Sequence, residues 1–217
     1  SANKYVKYKA DVFNGMVSGV AIFEGYNSEN VGLTSLFENI MIDNLATGLA
    51  TSINLLNCKI SGLLNGQMDI GFNNGQLEKT QGTISLKNLL MDFSEKPLYS
   101  IENFAFASAQ LDFTMPEKRL IRIEQLQMKG RQMDINISGD ITLAQNTEQS
   151  RLNLESQITL YPLFFMNAGN SLPFDISRDP SGNTLFALKI SGTLQNPRIR
   201  SDISIDHKLK TDKDVKL

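Results

Sequence analysis

The sequence predicts a mainly β domain: a large curved antiparallel sheet, shaped as a half-open barrel or groove, with one or two short helices. Three observations predict it. Apolar and polar residues alternate with a period of two over much of the chain, as they do where successive side chains point to opposite faces of a strand. The clearest runs are parted by short polar or Gly/Pro connections, which favour hairpins over crossover helices. Glycine also recurs inside the runs, where it permits a bend or a close backbone approach.

Taken in order, Lys4 to Phe13 is a polar, strand-like opening. Over Ala46 to Leu56 the period changes: Leu45, Leu49, Ile53 and Leu56 stand three or four apart, which predicts a short amphipathic helix. Thr83 to Phe93, Ser100 to Met115 and Leu120 to Met128 return to strand character. Within the last of these, Ile121 and Ile123 are on odd positions while Leu126 and Met128 are on even ones, a change of phase that predicts a bulge.

The cleanest strand follows. Met133, Ile135, Ile137, Ile141 and Leu143 share one parity, with Asp134, Asn136, Ser138, Asp140 and Thr142 on the other. The same pattern recurs as Leu152, Leu154, Ile158, Leu160; as Phe186, Leu188, Ile190, Leu194; and as Ile199, Ile203, Ile205. Gly130-Arg131 and Gln145 to Thr147 separate consecutive runs, so this half reads as a meander. Tyr161 to Met166 can form a helical turn or an apolar plug, Pro162 being acceptable at a first helical position. Ile-Ser-Gly occurs at Ile60, Ile137 and Ile190, and each Gly is expected mid-strand, helping the sheet to curl. We expect one β domain over residues 1–206 and a disordered tail over 207–217.

Composition excludes several classes of function. With 21 basic and 23 acidic residues the formal net charge is -2, no field to attract nucleic acid. No run reaches the ~18 apolar residues of a membrane span, and residues 1–30 lack the pattern of a signal peptide. Cys58 is alone, so it makes no intramolecular disulfide or thiolate cluster and reads as a small apolar residue.

The search for chemistry finds little. His207, the one histidine, lies in the polar tail and offers no base or metal cluster, and neither metal nor cofactor is expected. Asp69, Asp134 and Asp140 fall on strands in phase with polar residues, so they read as a solvated face rather than paired catalytic carboxylates. Gly62, Gly66, Gly71 and Gly75 lack the Gly-Lys-Ser/Thr ending and the strand-then-helix setting of a phosphate loop. What remains is apolar surface that a second layer, helices, a partner or a lipid-like ligand must cover. The sheet either folds over itself as a sandwich or barrel, or curls into a half-closed groove. Candidates for the groove lining are Phe104, Phe106, Phe113, Phe164, Phe165 and Phe186, all of which packing in a core would also explain.

The segment LFALKISGTLQNPRIR, residues 185–200, resembles the strand, Gly-Thr-Leu, Asn-Pro, strand ending of the type II secretion system protein N family and of the related AsmA-like proteins. Upstream, IMIDNL at 40–45, the helix-like 46–56 and ISGLLNGQMDI at 60–70 resemble that family's strand, short helix and glycine-bearing strand. Leu77 through Leu86 matches its next hairpin. Order and spacing carry this resemblance, over roughly residues 35–95 and 150–205. It implies a periplasmic β domain tethered to the inner membrane by an anchor ahead of residue 1, with no catalytic residues.

Three functions from different classes follow. The chain is a structural component of the secretion machinery, meeting other envelope proteins, in one mode by strand addition; or an AsmA-like module that binds or transfers a lipid or other hydrophobic ligand; or an enzyme, the last disfavoured by the placement of His and carboxylates.

Overall fold

The computed structural model describes residues 3–24, 30–43, 59–93, 101–168 and 178–201. Eleven strands form one antiparallel sheet in strict sequence order, so each strand meets only the one before and the one after it. They are β1 (Lys4–Val12), β2 (Gly15–Glu24), β3 (Asn30–Met41), β4 (Lys59–Asn73), β5 (Gln76–Asp92) and β6 (Asn103–Glu117), then β7 (Leu120–Gly130), β8 (Met133–Thr142), β9 (Arg151–Leu160), β10 (Thr184–Thr193) and β11 (Pro197–Ser201). The sheet is curved and does not close into a barrel. Among the described residues no second sheet packs across it.

Local chemistry accounts for this meander. Between β1 and β2, Phe13 and Asn14 both adopt positive φ, 48° and 62°, in a two-residue loop closed by Val12 opposite Gly15. Asn74 and Gly75 repeat the arrangement between β4 and β5, at 50° and 69°. Turns of this kind match the right-handed twist of the strands they join. The 15- and 17-residue strands β4 and β5 and the 15-residue β6 form the backbone of the sheet.

Regular alternation would fail over such lengths, and bulges restore it. Inward residues stand three apart instead of two at Phe37/Ile40, Leu86/Leu89, Phe106/Ala109 and Ile123/Leu126, as the cross-strand register requires. The last is the phase change expected within Leu120 to Met128. These steps occupy β3, β5, β6 and β7, and each adds local twist, so they bend the sheet while keeping its apolar side continuous. All three Ile-Ser-Gly glycines take positive φ: Gly62 152°, Gly139 127° and Gly192 91°. At Gly139 a Cβ would run into the Asn153 carbonyl oxygen, so close backbone approach requires glycine there.

One α-helix stands among the described residues, α1 (Pro162–Ala168), the helical turn expected after Tyr161. Pro162 occupies its first position, where a missing N–H costs nothing. The Tyr161 N–H donates to the Gln132 carbonyl at 2.9 Å, tying the helix start to the β7–β8 turn. The helix seats Phe164 on Phe104, rings stacked with centroids 6.4 Å apart. Phe93, Phe106, Met133 and Leu160 complete this core at one end of the strands. The helix expected over Ala46 to Leu56, the positions Ile203 and Ile205 and the tail 207–217 lie outside the described residues.

Candidate functional site: the open apolar face

The register assigns every strand residue to one of two faces, and one face is apolar across the molecule. Ile84, Leu111, Leu126 and Ile137 form a row over β5 to β8, continued by Ser156 and Leu188. The next row carries Met68, Phe113, Ile123, Leu154 and Ile190, with Gly82 and Gly139 between them. A third runs through Ile70, Ile121, Ile141 and Leu152. Most of these side chains are half-buried, Leu154 being buried, because their neighbours on the same face are the main things that cover them.

Coverage is therefore uneven. At the α1 end Phe104, Phe106, Phe164 and Phe165 are all below 7 % exposed. Arg178 lies 4.0 Å over the Phe165 ring, a cation on a desolvated π face. Toward the other end no buried cluster of this kind forms among the described residues, and most side chains of the rows above stay half-exposed. Of the six phenylalanines expected to line a groove, four belong to this capped core and Phe186 packs at its margin. Phe113 stands apart on the uncovered stretch, half-buried beside Gly82. All six share the apolar face. The aliphatic lining (Ile84, Leu111, Leu126) escaped the sequence reading, although parity corrected for the bulges would have found it.

Hydroxyls interrupt this face at Ser35, Thr80, Ser156 and Thr184, all buried. Ser35 bonds the Tyr8 hydroxyl at 2.6 Å, whereas the Ser156 hydroxyl, on a residue 3 % exposed, has no hydrogen-bond partner among the described residues. A buried hydroxyl in that condition forfeits about 1–3 kcal/mol of hydration without return.

The opposite face is a polar ladder. Thr83 donates to Asp112 at 2.7 Å, Gln110 to the same carboxylate at 2.9 Å, and Thr114 to Glu124 at 3.0 Å. Thr83, Asp112, Thr114 and Glu124, with Gln67, Asp69 and Gln81, line a shallow hollow of about 380 Å³. Its carboxylates accept bonds from adjacent strands, so the arrangement stabilises cross-strand pairing. Asp140 holds Arg122 at 3.0 Å, and this hydrogen bond, more than its charge, raises the guanidinium pKa. Asp134 accepts from the Gly130 N–H at 3.1 Å and from the Tyr161 hydroxyl. Burial first, and that hydrogen bond second, push the Tyr161 pKa up. Asp69, Asp134 and Asp140 thus lie on the polar side, as the alternation requires. Among the described residues no three His, Cys, Asp or Glu side chains converge as metal ligands, and no helix is long and apolar enough to cross a membrane.

Comparison of the chain with protein-family models, with curated proteins and with solved structures returned no match.

Proposed function

We propose that this chain is a non-enzymatic β domain of the cell envelope that holds an extended apolar ligand, the acyl chain of a lipid, along its open face. One observation carries the proposal: a continuous apolar surface that, among the described residues, only one short helix covers, and only at one end. Eleven strands at about 4.8 Å spacing extend roughly 48 Å across the sheet, against about 15 Å of hydrocarbon in one bilayer leaflet. The face is long enough for an acyl chain laid across the strands. Contiguous apolar area beyond a few hundred Å² is rarely left bare in a soluble protein. The resemblance to AsmA-like proteins points the same way, and with it comes a periplasmic location beside the inner membrane.

A second reading has its own support. The resemblance to the type II secretion system protein N family, together with sheet borders that among the described residues are paired on one side only, suits a structural component that docks other secretion proteins.

Native mass spectrometry of gently purified protein separates the two. A lipid-holding domain carries adducts with the masses of phospholipids or fatty acids, lost on activation and reduced in a Leu111→Glu/Leu126→Glu variant. Protein that is adduct-free, and stays so after incubation with phospholipid vesicles, would contradict the lipid proposal and leave the structural role.

A further inference from the structure

Strand β1 borders the sheet, and among the described residues its one neighbour is β2. Alternate backbone N–H and C=O groups of such a strand point away from its neighbour and remain able to pair. The residues themselves are open: Tyr5 is 70 % and Val6 55 % exposed. On the polar face β1 presents Tyr5, Lys7 and Lys9, with Asp11 near its end; on the apolar face it presents Val6, Tyr8 and Ala10.

The far border carries the same sign. On β11 the polar-face residues are Arg198 and Arg200, both exposed. Following the register through the sheet, Lys7 and Arg198 terminate one row. Lys9 and Arg200 terminate the row beside it, across the β7 bulge. Edge pairing between copies therefore brings like charges together where β1 overlaps β1 in full or meets β11 along Lys7 and Lys9. Two β1 strands paired antiparallel about Tyr8 set Lys7 opposite Lys9, and β1 against β11 sets lysines beside arginines. Like charges directly opposite on one face disfavour pairing. In these overlaps the borders repel their own kind, while among the described residues no further strand pairs with their outward hydrogen-bonding groups.

We infer that β1 receives a strand from a different protein, one whose residues alternate acidic and apolar. Its carboxylates lie beside Lys7 and Lys9, and its apolar residues lie beside Val6 and Tyr8, lengthening the apolar face by one strand. Backbone pairing supplies the affinity, and the two lysines supply the choice of partner. This docking does not depend on a lipid being bound.

The test uses fluorescent nine-residue peptides, the length of β1, with alternating Glu and Val, with alternating Lys and Val, and with Glu and Val but alternate amides N-methylated. Anisotropy measures binding, and hydrogen exchange maps protection. The Glu-Val peptide is expected to bind and to protect amides within Lys4–Val12, and the other two are expected to bind at least about tenfold more weakly. A Lys7→Glu/Lys9→Glu variant, altered only at exposed border positions and checked for an unchanged circular dichroism spectrum, should reverse the preference toward Lys-Val. Equal binding of the Glu-Val and Lys-Val peptides, no binding of either, or protection away from β1 would overturn the inference. So would a self-association of the unmodified chain that protects β1.

Discussion

At the level of single residues, the two faces differ in which side chains they bury and which backbone angles they need. Phe106 is 2 % exposed in the α1 core, so Phe106→Ala should cost about 3–5 kcal/mol in urea denaturation. Gly139 and Gly32 are both strand glycines, yet they should respond oppositely to Ala. At Gly139, φ 127° and the Asn153 carbonyl predict a loss of about 2 kcal/mol or more, whereas a Cβ at Gly32 meets nothing within 4 Å and should change stability by less than about 0.5 kcal/mol. Tyr161 gives a pH signature. Its hydroxyl pKa is raised in the folded state, so the neutral form is the one folding favours. That contribution is complete below the ordinary tyrosine value of about 10 and is lost as pH rises through the higher folded value. Urea midpoints measured from about pH 9 to 11 should therefore fall less steeply for Tyr161→Phe than for the unaltered chain. Parallel slopes would mean that Tyr161 does not titrate differently on folding.

At the scale of elements, β8 tests the assignment of faces. Ile137 stands between Leu126 and Ser156 in an apolar row, so Ile137→Asp should destabilise by several kcal/mol. Asn136, on the polar side, accepts from Gln127 at 3.1 Å through an oxygen that Asp keeps, and Asn136→Asp should stay within about 0.5 kcal/mol. Comparable losses of melting temperature would mean the strand is turned over. β8, β9 and β10 were legible in the sequence because their inward residues keep one parity without interruption over most of their length. β2 was not, since Gly15, Gly19 and Ala21 on its inward side are too small to stand out as an apolar row. β3 was obscured by the step at Phe37/Ile40, which reverses parity partway along, and β5 was read as a strand from Thr83 to Phe93 but without a single parity, because of the step at Leu86/Leu89. Only β7 disclosed such a step, because large aliphatic residues flank it. The hairpin between β4 and β5 had a plain signal in Asn74-Gly75, a pair suited to two consecutive positive φ angles. For the site, the aromatic residues were visible but their division was not: helix α1 gathers Phe104, Phe106, Phe164 and Phe165 into a core, a tertiary contact with no local trace.

For the whole molecule, we propose that the apolar face is a binding surface rather than a core that another layer conceals. Strict sequence-order pairing leaves that face without a second sheet among the described residues, and α1 serves only one end. Neighbouring residues on β6 allow the claim to be tested directly, because Leu111 lies on the apolar face and exposed Gln110 on the polar one. A photo-crosslinking amino acid placed at each position in turn, with the protein irradiated after incubation with phospholipid vesicles, reports which face meets lipid. Mass spectrometry should find lipid adducts on the Leu111 variant and few or none on the Gln110 variant. Adducts of equal yield at both positions, or none at Leu111, would contradict the account.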